Sequence, residues 1–127
     1  MFFIMILSGL LSTMNVYADN LSDIRLSLND AYMILLMTGW MYLFMGIYHG
    51  NNNNICFGLA LVLINLYCIR TQFMIDEKQY LLGMIPHHSM AVFMSKKLLA
   101  QKSSIREFLQ KIINTQHVEI AYMKAKN

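Results

Sequence analysis

Apolar residues gather in three blocks before the chain changes to a helical period. The first, Met1 to Tyr17, is built around F-F-I-M-I-L-S-G-L-L. The second, Ala31 to Tyr48, reads A-Y-M-I-L-L-M-T-G-W-M-Y-L-F-M-G-I-Y and holds no charged residue. The third, Ile55 to Ile69, is closed by Arg70, giving a segment over 55–70. Crossing about 30 Å of hydrocarbon takes about 20 helical residues. The second block meets that length, with Tyr32, Trp40 and Tyr48 as amphipathic residues. The third meets it once Thr71 to Ile75 extend it and Arg70 snorkels toward headgroups. In the first block, Val16-Tyr17-Ala18 before Asp19 resembles a signal-peptide cleavage site, but no Lys or Arg supplies a basic amino-terminal region. A retained membrane helix over residues 1–17 is the expectation. The polar stretch Asp19 to Asp30 reads as a connection, and His49-Gly50 with Asn51 to Asn54 as a turn.

After Arg70 the pattern becomes an amphipathic hairpin, residues 71–127. One helix is predicted over about Asp76–Ala100 and a second over about Ser104–Lys124, with Gln101 to Ser103 as the turn. Ser104 with Glu107 three residues on forms a capping-box pattern. The second helix carries Ile105, Phe108, Leu109, Ile112, Ile113, Ile120 and Met123 at helical spacing, and no strand signal competes. The fold class is therefore all-α: transmembrane helices followed by an amphipathic helical hairpin.

Composition sharpens this division. Of 127 residues, 57% are hydrophobic and 13% charged, about half the charge of an ordinary soluble domain. Only Arg25 among the basic residues precedes Arg70, so the excess positive charge behind the chain's net +3 belongs to the carboxy-terminal part. That balance is too diffuse to indicate nucleic acid. Lys96, Lys97 and Lys102 read as a solvated helix face. Cys56 and Cys68 lie twelve residues apart in one helix, about 120° around its axis, and read as unpaired apolar fillers.

Candidate chemistry centres on Met84-Ile85-Pro86-His87-His88-Ser89-Met90-Ala91. Helical spacing puts Met84, His87, Ala91, Met94 and Leu98 on one face, with His88 at its edge. On the second helix Gln116, Glu119 and Met123 share the face of Ile105 and Ile112. His87 lies about 14 residues before the turn and Glu119 about 15 after it, so both climb roughly 21 to 23 Å and arrive at one level. Imidazole binds Zn, Cu, Fe or Ni, whereas thioethers select Cu(I). Met84, His87, His88, Glu119 and Met123 are the candidate metal ligands, with Gln116, Met90, Met94 and His117 as orienting or additional ones. Copper is the first choice, silver its mimic, and another transition metal the remainder. A plainer reading pairs Glu119 with His87 or His88 by a buried hydrogen bond and leaves the methionines as fillers. Spacing alone does not separate the two. No H-E-x-x-H, di-iron carboxylate set, Ser-His-Asp set or phosphate loop appears, so no catalytic residue is assigned. Met33, Met37, Met41, Met45 and His49 recur every fourth residue, read as packing or as a track for a soft cation. Asn65 is expected to hydrogen-bond a neighbouring helix.

M-I-P-H-H-S-M-A followed by I-I-N-T-Q-H-V-E-I-A-Y-M closely resembles the domain of unknown function 305 family. The upstream L-N-D-A-Y-M and R-T-Q-F-M-I-D resemble its membrane-anchored branch. The matching motif positions are Met84, Pro86, His87, His88, Gln116, Glu119, Ile120 and Met123. The resemblance implies a ferritin-like hairpin, with relatives that are secreted or periplasmic and in some cases tied to copper binding and tolerance. Soluble relatives often hold two hairpins in a four-helix bundle, which implies that this single hairpin dimerises, as a homodimer or higher homo-oligomer.

The leading expectation is a multi-pass membrane protein binding or buffering Cu(I) through His and Met, in copper tolerance or homeostasis. Its partners are the lipid bilayer, a metal ion and a second copy of itself, and it is not expected to be an enzyme. The alternative is a structural membrane protein whose hairpin mediates self-association without metal; a redox metalloenzyme ranks third. Positive-inside counting puts the hairpin in the cytoplasm. Three crossings from a nearly uncharged amino terminus, and secreted relatives, put it on the periplasmic or extracellular side, of the inner membrane in a bacterium. The latter is the expectation.

Overall fold

The computed structural model describes residues 1–126, and Asn127, the last residue of the predicted hairpin, lies outside the described residues. The fold is all-α: α1 (Phe2–Leu11), α2 (Leu28–His49), α3 (Asn52–Thr71), α4 (Glu77–Leu99) and α5 (Arg106–Lys126), with 3-10 turns at Met14–Tyr17 and Leu21–Asp23. The chain divides into two compact units. One comprises residues 1–13 and 28–75, the other residues 14–27 and the chain from Asp76 onward.

In the first unit α2 and α3 form a helical pair with α1 against α2. At about 1.5 Å per residue, the 22 residues of α2 and the 20 of α3 give lengths near 30 Å. Both are long and apolar enough to cross a membrane. Helix α1 has ten residues, about 15 Å, and does not reach that span. The block predicted as one helix over 1–17 breaks at Ser12, where the backbone N–H bonds to Gly9 O. Its last four residues join the second unit, because Asn15 is tied to Arg25 through both side-chain atoms: Oδ1 accepts from Arg25 N and Nδ2 donates to Arg25 O.

The asparagine run caps α3, as Asn51 Oδ1 accepts from the backbone N–H of Asn53 and Asn54. Helix α3 stops at Thr71 instead of continuing to Ile75, since Gln72 turns left-handed at φ 51°. Its side-chain amide exchanges two hydrogen bonds with that of Asn29 at the start of α2. Between the helices the backbones nearly touch. A Cβ on Gly58 would lie 2.6 Å from Gly39 O, and one on Gly46 2.7 Å from Ile55 N. Two buried polar side chains in the middle of these helices bond within their own helix. Thr38 Oγ1 donates to Ile34 O, and Asn65 Nδ2 donates to Leu61 O rather than to a neighbouring helix. Met33, Met37 and Met41 are exposed, so they do not pack the pair. Cys56 and Cys68 are free, as read.

In the second unit α4 and α5 form the hairpin. Asp76 caps α4 by accepting from Gln79 N, and the helix runs through Pro86 unbroken. Helix α5 begins at Arg106, two residues beyond the predicted start, after a turn in which Ser103 Oγ accepts from Ile105 N. The core is Ile85, Val92, Ile113, Ile120 and Met123, with Leu81, Met84 and Leu99 packed against it. The seam of α4 thus runs through residues 81, 85, 92 and 99. Met94 and Leu98, placed on the packed face by spacing, are exposed, as are Ile105, just before α5, and Phe108 on it. The predicted face is rotated because α4 has two neighbours: α5 on one side and residues 14–27 on the other.

Candidate metal site

Residues 14–27 are held on α4 by polar links centred on Ser89, which is fully buried. Its hydroxyl accepts from the Asp19 backbone N–H at 2.8 Å and donates to Asp23 Oδ2 at 2.7 Å. Asp23 also pairs with Lys124 of α5, whose ammonium donates to Ser22 Oγ as well. Asp19 pairs with Lys96 at 2.8 Å, so Lys96 is not simply a solvated lysine. Burial pushes the Asp23 carboxyl up, but Lys124, the Ser89 hydroxyl and the charge of Arg25 outweigh it and hold the group below the usual aspartate value.

On the other side of α4, His88 Nδ1 lies 2.8 Å from Glu119 Oε2. The two atoms are close but not aligned as a hydrogen bond, so this buried ring nitrogen has no hydrogen-bond partner among the described residues. The His88 side chain is 15% exposed and that of Glu119 45%, so the carboxylate faces water at the hairpin's edge rather than sitting in a dry core. Met123 is buried in the same cluster as Ile120, and Met84 packs against that cluster. The His88–Glu119 contact sets the register of the pair, so Met84, about one turn before His88, and Met123, about one turn after Glu119, fall at the same end of the two helices.

His87 does not join them. Its side chain is exposed, its ring centroid is 6.3 Å from that of His88, and its Nδ1 lies 3.2 Å from Met14 Sδ. Of the two histidines that spacing offered to Glu119, it is His88, at the edge of the predicted face, that meets it. Of the additional candidates, Gln116 and Met90 are half-buried, and Met94 and His117 are exposed. Among the described residues no three His, Cys, Asp or Glu side chains converge. Beside the His88–Glu119 pair, this level holds the thioethers of Met84 and Met123. Asp19 and Asp23 gave no sequence signal because they lie in a stretch that reads as a connection, and Met14 gave none because it lies in the apolar block that reads as one membrane helix over 1–17. Ser89 carries no spacing signal of its own.

These features define a class: an all-α protein in which a His- and Met-bearing hairpin is paired, in one chain, with two apolar helices of membrane-spanning length. Residues 71–126 match the domain of unknown function family DUF305. The chain is also 45% identical over 125 residues to "Uncharacterized protein L153" of Acanthamoeba polyphaga mimivirus, covering 93% of this chain and 82% of that one. The chain belongs to the DUF305 family. No solved structure matches it.

Proposed function

We propose that this is a membrane-anchored protein that binds or buffers Cu(I), with a role in copper tolerance or homeostasis. The observation that carries the reading is the His88–Glu119 pair at 2.8 Å with Met84 and Met123 at the same end of the hairpin. The donors fit a soft or borderline cation: an imidazole nitrogen that is buried without an aligned hydrogen bond, a carboxylate, and two thioethers. When a cation is held there, His88 and the thioethers are the ligands and Glu119 a ligand or the group that orients the imidazole. Anchoring is supported by the exposure of the apolar helices. Only 28% of the apolar window of α2 and 17% of that of α3 is buried within the chain, the reverse of a core helix in water. With two crossings the chain returns to the side it left, so residues 14–27 and the hairpin share that side. We take it to be the outer one, where copper from outside the cell is met.

The test is a Cu(I) titration of the full chain in detergent against a competing chelator. Saturable binding is expected, lost or weakened at least tenfold in His88→Ala and in Met84→Leu with Met123→Leu. Binding unchanged in both variants would sink the proposal.

A second reading, self-association of the hairpin, is favoured by Phe108, Val118 and Tyr122, which are exposed on α5 at 59%, 70% and 62%. Such residues suit a second copy completing a four-helix bundle. It predicts a dimer whose stability does not respond to chelators, whereas a metal-bridged dimer loosens.

A further inference from the structure

We infer that Met14 and His87 form a second soft-cation site, in which the thioether comes from the amino-terminal segment and the imidazole from α4. The inference rests on the Cu(I) reading above and adds to it a ligand outside the hairpin.

Three observations carry it. The Met14 sulfur and His87 Nδ1 meet at 3.2 Å although 73 positions separate them in sequence. Neither is a core residue: Met14 is 44% exposed and His87 also faces water, so burial of the thioether is not what brings the pair together. The segment that delivers Met14 is fixed. Asn15 clamps Arg25 through two hydrogen bonds, and Asp19 and Asp23 lock onto Ser89, Lys96 and Lys124. A loop tied at so many points holds its first residue in place before any ion arrives, which lowers the ordering cost of binding.

The chemistry of the contact is specific. Without a cation, Nδ1–H points at a thioether, a weak acceptor. In the other tautomer two lone pairs face each other, and a soft cation between them removes that repulsion. Thioether sulfur selects Cu(I), and low-coordinate monovalent ions need no more than two or three ligands. Entry requires the sulfur to retreat from the direct contact, which the flexible, exposed Met14 side chain can do. The two histidines therefore serve two places: His88 faces Glu119, and His87 faces Met14.

The test uses Ag(I), a redox-inert stand-in for Cu(I), titrated into the full chain in micelles with carbon-13 methionine methyls. Met14→Leu assigns the Met14 resonance. The expected result is a saturable shift of the Met14 methyl and, in Met14→Leu, loss of one equivalent of Ag(I) or at least tenfold weaker binding of it. Unchanged thermal unfolding of that variant excludes simple misfolding, and Met14→Cys, which restores a soft donor, recovers the lost equivalent. An unmoved Met14 methyl with shifts at Met84 and Met123 overturns this inference and leaves the Cu(I) proposal standing. No methyl shift anywhere overturns both.

Discussion

Asp23 is the residue on which the second unit's polar framework turns. It is 5% exposed, accepts from Ser89 and pairs with Lys124. A buried carboxylate stripped of its cation is expensive. Lys124→Met should therefore destabilise the unit by about 1–3 kcal/mol, a figure reduced because Lys124 is partly exposed. Differential unfolding of the full chain measures it. The pH dependence follows from the direction of the shift. Since the folded carboxyl lies below its unfolded value of about 3.9, its contribution is complete above that value and is lost as pH falls through the lower folded one. The Asp19 amide, bonded to Ser89 Oγ, reports the event. Its protection should be flat from pH 7 to about 5 and fall only below about 4. Loss near pH 6 would point to a different group.

At this scale the sequence was legible in part. The residues of one helical level, Met84, His88, Glu119 and Met123, follow from rise per residue and distance to the turn. Which histidine faces inward does not, because one residue is about 100° of rotation and α4 packs on two sides. Nothing in the sequence tells Asp23 to find Ser89, since such a pairing is set by the path of the chain and not by local spacing.

Among the elements, α2, α3 and the two hairpin helices were readable from their apolar runs and periods. The first block was not, because its apolar character continues past the point where Ser12, Thr13 and Asn15 end the helix. Close helix pairing in the first unit depends on glycine where backbones approach. Gly58→Leu has no room beside Gly39 O and should separate α2 from α3, seen as a lower unfolding temperature in detergent. Gly50→Ala meets no atom within 4 Å and strains only its φ of 66°, so it should cost about 1–2 kcal/mol or less. Equal effects would show that the glycine seam does not set the approach. In the hairpin, Ile85→Ala empties a fully buried position and should cost about 2–4 kcal/mol of the second unit's stability.

For the whole molecule, α1 at ten residues is too short to span a membrane, so the proposed anchoring rests on α2 and α3, two crossings where three were expected. Labelling of single cysteines, with Cys56 and Cys68 replaced, tests the resulting arrangement in intact cells. A cysteine at Lys102 should react with an impermeant maleimide from outside and one at Asn53 should not; the opposite pattern would put the hairpin in the cytoplasm. The proposed binding of a soft metal ion through nitrogen and thioether sulfur turns on ligand identity. X-ray absorption at the copper edge of the Cu(I)-loaded full chain reads it directly. Sulfur and nitrogen scatterers together are expected, with the sulfur contribution reduced in Met84→Leu with Met123→Leu. A shell of nitrogen and oxygen alone, unchanged by those substitutions, would contradict that binding.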